Sequence, residues 1–215
     1  MGIRYSHWFF DLDGTLARTG EDIIVAWKAA LTALGRDLTN FDKVFRIGPT
    51  LEKVIYDMYD DATPQLVEDV MLRFKSLYDE GGFPNTVPYP GVPELLADIK
   101  ASGGKAYIVT NKRHNATQGI AKKFGWDRTL DGVWSYDTFG TKYKKPDLLA
   151  KLIKDMGVDP KDAVMVGDTK GDVDSGKANG MATIGVIWGY GVPGEVSESD
   201  HIFASAVEIA KNLVK

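Results

Sequence analysis

The amino-acid sequence predicts an α/β fold: a parallel sheet with helices on both faces, interrupted early by a helical insert. Three observations predict it. Segments of strand and helix character alternate through most of the chain, the order that builds parallel sheets. The first strand candidate, Trp8, Phe9 and Phe10, is a bulky apolar run without alternation, which suits a strand covered on both faces. The alternation stops over residues 18–88, which hold helical patterns and no convincing strand.

In chain order, the further strands are predicted over 106–110, 132–136, 163–166, 183–188 and 201–203. The helix over 93–101 carries Pro93 in its first turn and is followed by Ser102-Gly103-Gly104. Helices over 116–124, 147–156 and 172–179 end at Gly125, Gly157 and Gly180, and a last one covers 206–214. Within the insert, helices are predicted over 23–34, 51–59 and 64–78, with Gly35 and Gly81-Gly82 as stops. Ile23, Ile24, Trp27, Leu31 and Leu34 read as the apolar face of the first. Pro84, Pro88, Pro90 and Pro93 cluster where the chain returns to the sheet. The expected division is therefore a core of residues 1–17 and 89–215 and an insert of residues 18–88. An insert leaving the mouth of the first strand is expected to overhang whatever site lies there.

Composition bounds the function. A chain of 215 residues with 44% apolar residues is an ordinary globular one. It holds no cysteine, which excludes disulfides, thiolate catalysis and Cys-ligated zinc. No apolar run approaches the roughly 18 residues needed to span a bilayer, and residues 1–7 are too short and polar for a signal peptide. A cytoplasmic protein with no membrane partner is the expectation. Net charge is −4, and basic residues are scattered apart from Lys142, Lys144 and Lys145, so no nucleic-acid footprint is expected. The partner expected is a small molecule, with the chain a monomer or homodimer.

Four polar clusters fall at or just beyond predicted strand ends. Asp11 and Asp13 follow the first strand, with Gly14 and Thr15 after them. Burying charge is costly, so the two acids should sit where the strand emerges; held so close, they repel unless a cation or proton separates them. Thr110 and Asn111 end the second strand, Lys145 lies beyond the third, and Asp168 and Asp172 follow the fourth. In an open parallel sheet the crevice lies at the carboxyl ends of the strands, where these groups converge. Each has a plainer reading alone: an Asp-Gly turn, a helix cap at Thr110-Asn111, a solvated lysine at 145, an N-cap at Asp172. Other motifs fail. Asp172 through Gly176 starts like a calcium loop but has Lys177 at its sixth position, and Gly167–Gly171 lacks the P-loop's Gly-Lys-Ser/Thr. His7, His114 and His201 share no metal spacing; His114 alone is expected near the site.

Taken together and in order, Asp11-Leu12-Asp13-Gly14-Thr15, Thr110-Asn111, Lys145-Pro146 and Gly167-Asp168 through Asp172 resemble the four motifs of the haloacid dehalogenase-like hydrolase superfamily. The resemblance implies a Rossmann-like core, with the insert standing where that family has its helical cap domain. It implies that Asp11 attacks phosphorus to form an aspartyl-phosphate, and that Asp13 protonates the leaving oxygen and then accepts a proton from water. It implies Mg²⁺ held by Asp11, Asp168 and the Asp13 main-chain carbonyl. Thr110 and Asn111 would bind phosphoryl oxygens with Lys145, which also stabilises the charge on Asp11. Asp172 would hold Lys145 or a metal-bound water, and Thr15 would support the set.

The acid at Asp13 implies phosphoryl transfer, because the superfamily's dehalogenases lack an acid there. The small insert, Arg46-Ile47-Gly48-Pro49-Thr50 and Trp188-Gly189-Tyr190-Gly191 resemble the phosphoglycolate phosphatase-like branch. That resemblance implies hydrolysis of a small phosphorylated metabolite, with Arg46 and Arg18 as candidate substrate contacts. Ala17-Arg18-Thr19 departs from the branch, where an acid often follows the first motif. The alternatives are a β-phosphoglucomutase-like phosphotransferase, a nucleotidase or pyrophosphatase of the same superfamily, and an inactive relative that binds phosphate or a partner.

Overall fold

A computed structural model of the chain describes residues 2–47 and 51–214. The chain folds into two compact units: one formed by the chain up to Arg18 and from Val87 onward, the other by Thr19–Thr86. The chain enters the larger unit through β1 (His7–Phe10) and β2 (Ala17–Arg18). The smaller unit holds α1 (Gly20–Ala33), α2 (Phe41–Val44), α3 (Leu51–Met58) and α4 (Pro64–Glu80). The larger unit resumes with β3 (Val87–Pro88), α5 (Val92–Ala101), β4 (Lys105–Thr110), α6 (His114–Phe124), α7 (Trp126–Thr129) and β5 (Gly132–Ser135). It continues through α8 (Lys145–Met156), β6 (Ala163–Gly167), α9 (Lys170–Ala178), β7 (Ala182–Val186), β8 (His201–Phe203) and α10 (Ala206–Ile209).

The six longer strands form one sheet in the order β5-β4-β1-β6-β7-β8, every pairing parallel. β1 lies inside it, with Phe10 opposite Ile108 of β4 and Val166 of β6. Trp8, Phe9 and Phe10 are buried, and the Trp8 indole N–H donates to the Tyr5 carbonyl at 2.8 Å, which satisfies the polar atom of an otherwise apolar strand. On one face, Phe9, Tyr107, Val109 and Met165 pack with Leu148, Leu149, Leu152 and Ile153 of α8. These four helical positions form one stripe at i, i+1, i+4, i+5 spacing; burying each contributes about 1.5–3 kcal/mol. That stripe holds the start of α8, and with it Lys145, against the sheet.

The block expected to hold no strand does contain part of one. β2 and β3 pair antiparallel, Ala17 with Pro88 and Arg18 with Val87. Two residues each are too few for a period-2 pattern to show. α2 and α7, single turns of four residues, were also not predicted. The strand predicted to reach residue 188 ends at Val186, and the final helix is α-helical only to Ile209, with a π-type turn over Ala210–Val214.

Inside the smaller unit, Trp27 is buried against Phe45 and Phe74, and Phe41 stacks on Phe45. Thr63 caps α4 by accepting from the Leu66 N–H, with Pro64 at the first helical position. The buried Asp22 carboxylate accepts from the Asn85 N–H, the Asn85 side-chain amide and the Thr86 hydroxyl, tying the unit's first and last residues together. Among the described residues, no helix is long and apolar enough to cross a membrane.

Candidate active site

Asp11 is the first residue past β1. Its N–H still donates to the Val166 carbonyl at 2.9 Å, so the strand's ladder aims its side chain out of the sheet's carboxyl edge. Asp168 and Asp172 arrive from the end of β6 and the first turn of α9, and Lys145 from the first residue of α8. All four are buried. The Lys145 ammonium lies 2.8 Å from Asp11 Oδ1 and 2.5 Å from Asp172 Oδ1. Asp11, Asp168 and Asp172 each offer a carboxylate oxygen, and these oxygens lie within 4.8 Å of one another.

Three of the plainer readings of single residues fail here. Lys145 is a buried ion-pair partner, not a solvated lysine. Asp172 is not an N-cap. Thr169 occupies that position, and Asp172 Oδ2 accepts from the Thr169 N–H and hydroxyl, closing a capping box. Its other oxygen is thereby turned toward Lys145. The helix after Thr110 starts at His114 with Arg113 at its N-cap, so Thr110 and Asn111 do not cap it. Thr110 is buried, and its hydroxyl accepts from the Lys112 N–H at 3.2 Å; Asn111 is exposed.

Asp168 is held by groups of which only Thr15 was anticipated as support. The Thr15 hydroxyl donates to Oδ1 at 3.0 Å, and the Tyr190 and Gly191 N–H groups donate to Oδ2 at 2.7 and 3.2 Å. Trp188 fixes the other end of that loop by donating from its indole N–H to the Thr15 carbonyl. The approach is so close that two positions demand glycine. Gly14 has φ +85°, and a Cβ there would sit 2.2 Å from Asp168 Oδ2. A Cβ at Gly189 would fall 2.3 Å from the same oxygen.

Asp13 stands beside this cluster and has a partner that sequence reasoning missed. Both of its carboxylate oxygens accept from the Lys112 ammonium, at 3.0 and 3.1 Å. His114 is occupied locally: its N–H donates to Asp137, and its ring nitrogen lies 3.3 Å from the Thr138 hydroxyl. Of the candidate substrate arginines, Arg46 donates to the Phe45 carbonyl within the smaller unit, while Arg18 is exposed on β2. Gly48, Pro49 and Thr50 lie outside the described residues.

The electrostatics follow from burying acids together. Burial, with added repulsion from Asp172, Asp168 and Asp13, pushes Asp11 up to about 7 against the opposing pull of Lys145. Burial and the Asp172 charge push Asp168 up to about 6, opposed by the Tyr190, Thr15 and Gly191 donors. Burial alone would lower Lys145, but the facing Asp11 and Asp172 carboxylates hold it above the ordinary lysine range. Four carboxylates (Asp11, Asp13, Asp168, Asp172) thus face two ammonium groups (Lys112, Lys145), an excess of negative charge. Asp11 Oδ1 is buried with the Lys145 ammonium at 2.8 Å as its ion-pair partner, which leaves a carboxylate oxygen with acceptor capacity to spare. An acid-rich, oxygen-only set with a spare acceptor suits a hard divalent cation.

A parallel α/β core thus carries a lysine-braced acid cluster at the carboxyl ends of its strands. The chain belongs to the haloacid dehalogenase-like hydrolase family, whose family model matches residues 8–186. It is 32% identical over 186 residues to a phosphoglycolate phosphatase of Aquifex aeolicus, covering 84% of each chain. It is 31% identical over 198 residues to a 5'-nucleotidase of Pseudomonas aeruginosa, covering 90% of this chain and 88% of that one. A crystal structure from Haemophilus somnus, described as a predicted phosphoglycolate phosphatase, matches with a TM-score of 0.86 at 25% identity, covering 97% of each chain.

Proposed function

We propose that this chain is a Mg²⁺-dependent phosphatase of small phosphate monoesters, working through an aspartyl-phosphate at Asp11. The observation that carries the reading is the buried Asp11–Lys145–Asp172 arrangement beside Asp168. It joins an aimed carboxylate to a fixed ammonium and an acidic set that fits a divalent cation. The relatives named for phosphoglycolate phosphatase and 5'-nucleotidase activity support the substrate class.

Asp11 Oδ attacks phosphorus, and Lys145 offsets the charge that gathers on the attacking carboxylate and the phosphoryl oxygens. Asp172 aims Lys145 and is itself held by Thr169. Thr110 and Asn111, at the end of β4, orient the phosphoryl group. Asp13 delivers a proton to the leaving oxygen and then takes one from the water that cleaves the aspartyl-phosphate. Asp11 and Asp168 would hold the cation, with Thr15 and the Tyr190 and Gly191 amides fixing Asp168. When bound, Mg²⁺ screens the repulsion between the anionic nucleophile and the phosphate. Substrate selection is assigned to the helical unit Thr19–Thr86, and the reading places the protein in the cytoplasm.

The test is a panel of phosphate esters with Mg²⁺, ranked by kcat/KM: phosphoglycolate, nucleoside monophosphates, sugar phosphates and pyrophosphate. Preference for a small monoester is expected. No phosphate release from any member would overturn the reading.

A further inference from the structure

Lys112 lies two residues past the end of β4, on the loop that begins with Thr110. Its side chain is 7% exposed, although a lysine stem is long enough to carry its ammonium to solvent. The ammonium instead ends on Asp13, 3.0 Å from one carboxylate oxygen and 3.1 Å from the other. Burying an ammonium is costly unless it is paired, so the geometry is one the fold maintains at a cost. The backbone is held as well, because the Lys112 N–H donates to the Thr110 hydroxyl at 3.2 Å.

Asp13 needs such a tether. It sits in the turn after β1, bridged by backbone to Ala17, and its side chain is 20% exposed. Asp168 is braced from two loops, by Thr15 and by the Tyr190 amide, whereas the side-chain bonds to Asp13 among the described residues come from Lys112. Without them the carboxyl is free to turn about two side-chain torsions. Proton delivery demands a heavy-atom approach of about 2.6–3.2 Å, and a misplacement of about 1 Å costs on the order of 10²-fold.

We propose that Lys112 is a positioning residue for the reaction: by grasping both oxygens of Asp13 it fixes the direction from which that carboxyl meets the leaving-group oxygen. The inference rests on the phosphatase reading above. In the first step the Asp11–phosphorus bond forms as the bond to the leaving group breaks. The electron pair of the broken bond goes to the leaving oxygen, which takes the proton borne by the acid form of Asp13, one of whose oxygens carries that proton while the other accepts from Lys112. In the second, water attacks phosphorus, its proton passes to the Asp13 carboxylate, and the electrons of the Asp11–phosphorus bond return to Asp11. Lys112 acts in both steps through Asp13.

The experiment compares kcat/KM for an alkyl phosphate, whose leaving group needs a proton, with p-nitrophenyl phosphate, whose leaving group does not. This parameter reports steps through leaving-group departure, so slow release of phosphate from Asp11 does not mask the difference. In Lys112→Met the loss on the alkyl ester should exceed the loss on the aryl ester by about 10²-fold, the size of a general-acid contribution. Lys112→Arg, whose fork can reach both oxygens, should recover most of that difference. If Lys112→Met does not fold by circular dichroism, Lys112→Gln is read the same way. Equal losses on the two esters, or a rise in KM alone, would overturn the positioning role while leaving the phosphatase reading intact. Wild-type protein inactive on both esters overturns the phosphatase reading and the inference with it.

Discussion

Lys145→Met keeps most of the side chain's apolar stem and deletes the ammonium between Asp11 and Asp172. The three side chains are 5%, 10% and 2% exposed, so little water is at hand to replace the lost charge. Two unit charges about 4 Å apart interact by about 4 kcal/mol at an effective dielectric constant of about 20. Desolvation offsets much of that while the pair is intact, but breaking a buried pair by removing one partner costs about 3–5 kcal/mol. The cost depends on pH. Lys145 is the group that pulls Asp11 down toward ionisation, and Asp11 already stands at about 7. At pH 5 Asp11 is protonated with or without Lys145, so the substitution breaks no Asp11–Lys145 ion pair. At pH 8 that pair is intact in the wild type, and without Lys145 the buried Asp11 must either stay charged and unpaired or take up a proton. Urea unfolding in EDTA should therefore show a loss of about 3–5 kcal/mol at pH 8 and a distinctly smaller one at pH 5. A loss under about 1 kcal/mol at pH 8, or the same loss at both pH values, would refute the assignment of this lysine as the brace of a charged cluster.

Three further outcomes are expected. Gly189→Ala places a methyl group where Asp168 Oδ2 now lies 2.3 Å away, so Mg²⁺ titration of activity should show a loss in apparent metal affinity of about 10–100-fold; an unchanged titration would contradict the cradle. Thr15→Val removes a donor to Asp168 and should cost about 1 kcal/mol in unfolding experiments, with weaker metal dependence alongside. The metal-free protein should lose stability as pH rises from about 4 to 7. Asp168, raised from 3.8 to about 6, and Asp11, raised from 3.8 to about 7, keep protons in the folded state that the unfolded chain has released. The Asp168 share is about 3 kcal/mol. Excess Mg²⁺ should flatten the profile, and thermal midpoints measured across that window with and without metal check it.

The parts of the site that were legible in the sequence are those where charge interrupts apolar patterning. Asp11 after Trp8-Phe9-Phe10 and Asp168 after Val164-Met165-Val166 stand out because a buried strand excludes carboxylates until it ends. Lys145 was legible through its place before Pro146, but its burial was not, since that depends on α8 docking by Leu148, Leu149, Leu152 and Ile153. The double use of Asp172 had a local signal: Thr169-Lys170-Gly171-Asp172 matches a capping-box pattern, which turns one oxygen to the backbone and frees the other. Lys112 had none, because a lysine on a loop between two elements looks the same whether it points to solvent or to Asp13. The glycines at 14 and 189 are likewise ordinary turn residues until Asp168, distant in sequence from both, is packed against them. The β2–β3 ribbon was missed because two residues carry no period.

The central claim is that Asp11 is the nucleophile, and acid quenching during turnover tests it most directly. Protein mixed with Mg²⁺ and its best substrate, quenched and digested, should show by mass spectrometry one phosphoryl group on the peptide carrying Asp11. Asp11→Asn should show neither the adduct nor turnover while remaining folded by circular dichroism. A phosphoryl group on another residue, or substantial turnover by Asp11→Asn, would contradict the account.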